Sequence, residues 1–281
     1  MTVQVLEGNC RDVLAGLPDE IADCCVTSPP YFQLRSYGNL SGEIGQEARL
    51  DDYVPALVSV FAEVRRVLKN EGTLWLNLGD TRSSDKQILG VPWRVAFALQ
   101  ADGWTFRQDV IWSKPNAMPE PVRDRCTTAH EYLFLFSKGR RYHFDTAAIA
   151  EKATQPPGVP KAVAQHKQAA LGRVGGSLGA NQGAKTRNRR SVWEISTQPF
   201  ADAHFATYPP ALVEPCILAG CPKGGTVLDP FFGAGTTGLV ADRLQRNCIG
   251  IELNPEYAEI ARERIAESRG GGLLDVMEGA A

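Results

Sequence analysis

The sequence is poor in the devices that hold small secreted or metal-bound proteins together. It has seven cysteines, at positions 10, 24, 25, 126, 216, 221 and 248, and no two of them form a CxxC pair. An odd count, with members inside apolar runs such as DCCVTSPP and NCIGIEL, reads as reduced, buried thiols and offers neither a disulfide framework nor zinc-ligand spacing. No stretch approaches the roughly 18 apolar residues of a membrane span. The start MTVQVLEGNC lacks the basic opening and apolar core of a secretory signal. These absences predict a cytoplasmic protein with no membrane partner and no metal.

Acidic residues are missing from one place. The net charge of the 281-residue chain is only −2, yet between Lys152 and Val192 every charged side chain is basic: Lys152, Lys161, Lys167, Arg173, Lys185, Arg187, Arg189 and Arg190. The stretch from about 151 to 198 is rich in Pro, Gly, Gln, Asn and Ala and has few large apolar residues, so it supplies little core. A solvating linker usually mixes signs or favours acids. A one-signed basic segment points instead to phosphate contact, with Lys185, Arg187, Arg189 and Arg190 as candidates for binding a nucleic acid.

The remainder has 43% hydrophobic and 22% charged residues overall, enough apolar content for a sizeable α/β core. Seven segments rich in apolar and β-branched residues, near 3–7, 23–28, 73–79, 105–113, 131–137, 226–230 and 247–253, predict strands. Helical patterns fall between most of them. In DDYVPALVSVFAEVRRVLKNEG, residues Val54, Leu57, Val58, Phe61, Val64 and Leu68 share one helical face, with Asp51 or Asp52 as N-cap and Gly72 just past the end. Alternation of this kind predicts a mostly parallel, doubly wound sheet. The Pro-rich link KPNAMPEPVRDR between 105–113 and 131–137 carries no helix, so one of those two strands is expected to run antiparallel at an edge.

Two short motifs carry chemistry. In Ser28-Pro29-Pro30-Tyr31, consecutive prolines fix φ, remove N–H donors and force the preceding residue to be extended. The result is a stiff corner with carbonyls free of internal donors beside a hydroxyl and an aromatic ring, suited to a flat group bearing N–H. In LDPFFGAGTTG, a strand ends at Asp229, and Gly233 and Gly235 clear space for a ligand before a helix that begins near Thr236. Glu252, about 20 residues beyond Gly233, ends the next strand where ribose hydroxyls would need an acceptor. Loop and acid together indicate an adenosine-type cofactor and leave NAD and S-adenosylmethionine (AdoMet) both open.

In chain order, EGNCRDVLAGLP, TSPPY, GTLWLNLGD, WTFRQDVIWSKPN, TTAHEYLFLFSKG, HFATYPPALVEPCILAG, LDPFFGAGTTG and IGIELNPEYAEIARERI resemble the beta-class AdoMet-dependent DNA amino-methyltransferases, whose catalytic motif precedes the cofactor motif. The resemblance implies a Rossmann-like, seven-stranded, mostly parallel sheet. Residues 1–150 would be its catalytic half, 151–198 a target-recognition insert and 199–281 its AdoMet half. It implies that Ser28, Pro29, Pro30 and Tyr31 are catalytic: Ser28 and the Pro29 carbonyl would accept from the target amine, and Tyr31 would stack on a base flipped out of the duplex. Phe232, Gly233 and Gly235 would form the turn against the methionine part, with Thr236 and Thr237 nearby and Asp229 ending the strand. Glu252 would hold the ribose, Asn9 and Cys10 the adenine edge, and His204 and Thr207 the methionine carboxylate.

Ser at position 28 leans toward the N4 of cytosine, with the N6 of adenine as the alternative, because relatives with Asp there tend toward adenine. Methylation of RNA or of a protein glutamine goes with an Asn in that corner. Outside methyl transfer, an NAD-dependent oxidoreductase would use the GxGxxG pattern as it stands, and a non-catalytic module would use only the basic insert. The partners implied are double-stranded DNA, with a homodimer and a cognate restriction nuclease both compatible with the resemblance. Asp80 reads as a strand-end cap, and Trp75, Trp93, Trp104 and Trp112 as core aromatics.

Overall fold

The computed structural model describes residues 1–34, 40–153, 185–198 and 208–278, with 271–278 described by backbone alone. His204 and Thr207 lie outside the described residues. The strands in chain order are β1 (Val3–Glu7), β2 (Ala22–Thr27), β3 (Leu68–Leu78), β4 (Thr105–Ser113), β5 (His130–Ser137), β6 (Glu151–Lys152), β7 (Thr186–Arg187), β8 (Val192–Glu194), β9 (Thr226–Asp229) and β10 (Asn247–Glu252). The helices are α1 (Cys10–Ala15), α2 (Leu50–Val67), α3 (Val91–Ala101), α4 (Pro210–Gly220), α5 (Thr236–Arg243) and α6 (Pro255–Glu278). Thr146–Arg190 forms one compact unit, and Met1–Asp145 with Ser191–Ala281 forms the other.

Eight strands, not seven, make the main sheet, in the order β1-β10-β9-β2-β3-β5-β4-β8. All seven predicted strands are present. The eighth, β8, comes from the segment assigned to the basic insert and pairs parallel with β4 through Ile111, Trp112 and Ser113. Its anchor is Trp193, which is buried and packs on Trp75 with ring centroids 6.2 Å apart. One buried residue in three is enough for an edge strand when that residue is a tryptophan with a ring to meet.

Three further expectations need correction. β5 does run antiparallel, to both β3 and β4, but it is interior. It is paired along both sides, by β3 and by β4, and its residues Leu133, Phe134, Leu135 and Phe136 are all buried. Helix α2 ends at Val67, and Leu68, expected on its apolar face, turns extended and starts β3. The sheet captures this residue by pairing it with Ala22. Arg49 occupies the N-cap position without a side-chain bond, and Asp51 and Asp52 lie in the first turn, where they favour the positive end of the helix dipole.

Helices α1, α2 and α3 pack on the face that carries Leu74, Leu76 and Leu78. Six of the seven cysteines are buried and all are reduced; Cys126 is exposed. Strands β1, β10, β9, β2 and β3 run parallel, so their carboxyl ends share one edge. Chain order reverses between β9 and β2, and ligands of open α/β sheets bind at such a reversal.

Candidate active site

A cavity of about 300 Å³ opens at that edge. The Ser28–Tyr31 corner lines one side, following β2. Phe232, Gly233, Thr236 and Glu252 line another, and Asn9 and Cys10 border the same space. Motifs separated by some two hundred positions in the sequence thus meet because β2 and β9 are neighbours.

The proline corner is partly occupied from within. The Pro30 carbonyl accepts from the Tyr53 hydroxyl at 2.8 Å, so the expectation that both carbonyls are free of internal donors holds only for Pro29, whose carbonyl meets no donor among the described residues. Tyr53 is itself buried on α2 and fixes the corner to that helix. The Tyr31 ring lies against Gly79, where a Cβ would come within 2.6 Å of its Cε2 atom. A side chain at position 79 would lift the ring off its seat.

Three polar residues outside the two motifs, Asn77, Lys114 and Glu131, complete this side. Tyr31 donates to Glu131 Oε2 at 2.7 Å. Asn77 Nδ2 donates to the Tyr31 hydroxyl and to Glu131 Oε2, each at 2.8 Å. Lys114 forms an ion pair with Glu131 Oε1 and lies over the Trp112 ring, 4.4 Å from its centroid. Trp112 is buried, as expected for a core aromatic, and it also lines the cavity. Trp75 and Trp104 are buried, and Trp93 packs edge-on against Phe106, Tyr132 and Phe134. Asp80 is a cap, accepting from the Thr81 and Val91 backbone N–H groups at 2.9 and 3.0 Å.

On the cofactor side the residues divide in two. Gly233 has φ +52° and open space where a Cβ would stand, as close approach of a ligand to the backbone requires. Thr236 lines the cavity, and its Oγ1 is buried with no partner among the described residues. Glu252 Oε2 accepts from Gly233 N at 2.7 Å and Oε1 from Asn254 N at 2.9 Å, which leaves lone pairs for ribose hydroxyls. Burial raises its pKa against the opposing pull of those N–H groups. Asn9 caps α1 by accepting from Arg11 N at 3.0 Å. Burial pushes the Cys10 thiol up to about 11, so it is neutral where it borders the cavity. An orphaned hydroxyl, an unobstructed glycine and a half-satisfied carboxylate fit AdoMet, which when bound supplies a methyl group on a sulfonium.

Asp229, Gly235 and Thr237 do not line the cavity. A Cβ on Gly235 would meet Ala261 at 2.8 Å, so this glycine admits helix α6 and makes no room for a ligand. Asp229 is fully buried. Its carboxylate accepts from Thr27 Oγ1 at 2.6 Å, Thr237 Oγ1 at 2.6 Å, Tyr208 OH at 3.0 Å and Phe231 N at 3.1 Å. It ties β9 to β2 and to the start of α5 beneath the site. Phe232 is held between Gly250 and Gly238, where Cβ atoms would approach its ring to 2.3 and 2.5 Å. Replacing Glu252 by alanine is expected to weaken AdoMet binding by roughly 10- to 100-fold, the worth of hydrogen bonds to a charged acceptor. Calorimetric titration checks this, and an unchanged dissociation constant would remove the ribose role.

The four basic candidates belong to the other unit. Arg187 Nε and Arg190 Nε donate to Glu151 Oε1 at 2.8 and 2.7 Å. Glu151, at the border of the insert, therefore engages two of the charges expected to face phosphate, while Lys185 is exposed. Among the described residues no cluster of metal-ligating side chains occurs, and no helix is long and apolar enough to cross a membrane.

An open glycine turn beside a half-satisfied carboxylate, opposite the Ser28–Tyr31 corner, is the arrangement expected of an AdoMet-dependent amino-methyltransferase. Comparison with known proteins gives the particular family: the DNA methylase model N6_N4_Mtase matches residues 22–263, and the chain belongs to that family. The chain is 45% identical to the type II methyltransferase M.SmaI of Serratia marcescens, over 95% of this chain and 91% of that one. It is 43% identical to M.XycI of Xanthomonas campestris pv. cyanopsidis, over 93% and 87%. Among solved structures, TTHA0409 of Thermus thermophilus, assigned as a DNA modification methylase and complexed with S-adenosyl-L-methionine, superposes with a TM-score of 0.64 at 25% identity, covering 95% and 96%. The cytosine-N4-specific PvuII DNA methyltransferase shares the fold, with a TM-score of 0.70 at 21% identity over 95% and 91%. The protein is an AdoMet-dependent DNA methyltransferase, and the nicotinamide reading of its glycine turn gives way.

Proposed function

We propose that the enzyme transfers the methyl group to the exocyclic N4 of cytosine, in a base flipped out of double-stranded DNA. The observation that carries this reading is the Ser28-Pro29 corner. Pro29 presents a carbonyl without a donor, Ser28 presents a hydroxyl, and both border the cavity that Gly233 and Glu252 share. The lone pair of an aromatic amine is delocalised into its ring. Two fixed acceptors for its N–H groups favour a pyramidal nitrogen whose lone pair points at the methyl group, which is geometric and electrostatic catalysis without prior deprotonation. Tyr31, seated on Gly79, offers its remaining face to the base. Serine at position 28 favours cytosine over adenine, as in the enzymes the sequence resembles.

The basic insert serves target recognition, and double-stranded DNA is the partner. The names of the curated relatives, type II methyltransferases, support a place beside a cognate restriction nuclease. The deciding experiment expresses the protein in a host without DNA methylation and analyses hydrolysed host DNA by mass spectrometry. N4-methylcytosine supports the reading, N6-methyladenine moves the target and keeps the corner's role, and methyl groups on RNA alone overturn it. Replacing Arg187, Arg189 and Arg190 together by alanine is expected to weaken duplex binding. The slope of log K against log salt should fall by about one for each phosphate no longer neutralised. Fluorescence anisotropy over a salt series measures both; unaltered binding would make the insert a spacer.

A further inference from the structure

Glu131, at the start of β5, and Lys114, just after β4, are two of the charged side chains that line the cavity. They are largely enclosed, with side chains 16% and 18% exposed. Lys114 holds Glu131 Oε1. The other oxygen, Oε2, takes Tyr31 OH at 2.7 Å and Asn77 Nδ2 at 2.8 Å. Each of those two groups reaches Ser28 Oγ at 3.4 Å. One carboxylate oxygen therefore stands a single hydrogen-bonding group away from the atom that accepts from the target amine, and the cation is turned to the far oxygen.

Such an arrangement does more than hold a tyrosine. When the amine nitrogen attacks, the N–C bond forms, the C–S pair stays on sulfur, and positive charge builds on nitrogen until it sheds a proton to solvent. In an enclosed site a fixed opposite charge acts strongly on that development, and it needs no reorganisation at the moment of reaction. We propose that Glu131 is a positioning residue for methyl transfer, acting through Tyr31 and Asn77, and that its negative charge, oriented by Lys114, stabilises the cation that forms on the amine. The proposal rests on the reading that the Ser28-Pro29 corner holds that amine.

Glu131→Gln keeps the side chain's size and its acceptor for Tyr31 and removes the charge. Glu131→Asp keeps the charge on a shorter stem. Both are compared with the wild-type full chain in single-turnover methylation of unmethylated chromosomal DNA, with AdoMet and DNA dissociation constants measured in parallel. The expected result is a rate about 10- to 100-fold lower for Gln, dissociation constants within about twofold of wild type, and an Asp variant faster than the Gln variant. A Gln variant at the wild-type rate overturns the proposal. So does a Gln variant that has lost AdoMet binding, which would make the residue structural, or an Asp variant no faster than Gln. Ser28→Ala separates the two levels: if it is slow while Glu131→Gln is not, only the role of Glu131 falls, and if neither is slow, the reading of the corner falls with it.

Discussion

Ser28→Ala is expected to lower the single-turnover rate of methyl transfer by about 10²-fold, the usual cost of deleting one preorganised group aimed at developing charge. AdoMet affinity should stay within about twofold of wild type, because the glycine turn and Glu252 stand on β9 and β10 and do not bond to Ser28. The fold should also tolerate the change. The bonds of Ser28 to Tyr31 and Asn77 are long, at 3.4 Å, while Tyr31 keeps its 2.7 Å bond to Glu131. The Pro29 carbonyl remains after the substitution, which is why residual activity is expected and complete loss is not. Unchanged turnover would remove Ser28 from the reaction.

The largest stability effect is expected at Asp229. Alanine there removes the common acceptor of Thr27, Thr237, Tyr208 and the Phe231 N–H. Even if two of the hydroxyls re-pair with each other, about 3 kcal/mol should be lost, given roughly 1–3 kcal/mol for each buried group left unsatisfied. Thermal unfolding would show this as a fall in Tm of roughly 6–12 °C. The pH dependence has a definite sign. Burial raises the carboxyl pKa in the folded state, against the pull of the Thr237 and Thr27 hydroxyls. A raised folded pKa contributes stability that is full below the unfolded carboxylate pKa and is lost as pH rises through the folded value. The stability of wild type relative to Asp229→Asn should therefore grow as pH falls from neutral toward the ordinary carboxylate range, and denaturant titrations at several pH values test it. A difference that shrinks toward acid would mean that Asp229 is ionised more easily in the fold than in the open chain.

Much of this architecture was legible in the sequence because its signals are local. Seven strands declare themselves by apolar content, and the two motifs each occupy a single turn, so Ser28 and Gly233 could be singled out without knowing their neighbours. What escaped depends on register. Asn77 meets Glu131 because β3 and β5 pair Asn77 with Leu133, and Lys114 reaches the same carboxylate because β4 and β5 pair Trp112 with Glu131. One signal was available: Asn77 interrupts the apolar run TLWLNL, and Glu131 stands before YLFLF. A polar residue inside or at the mouth of a buried strand needs a partner. The misplaced end of α2 has the same origin, since Leu68 satisfies helix and strand equally until Ala22 is there to pair with it. Gly235 shows the converse, because a glycine in a ligand motif can serve a helix contact instead.

The pairing of β1 with β10 has a consequence for how such enzymes vary. Val3 through Glu7 lie in register beside Cys248 through Glu252, and Cys248 N donates to the Thr2 carbonyl at 2.9 Å. The first and last strands of the described residues are thus neighbours in the sheet, so the path through this part of it is nearly a closed ring. In a ring, which half comes first is only a matter of where it is opened. The site depends on strand neighbours, so a gene reading cofactor half first could build the same cavity, and translation order says nothing about catalysis.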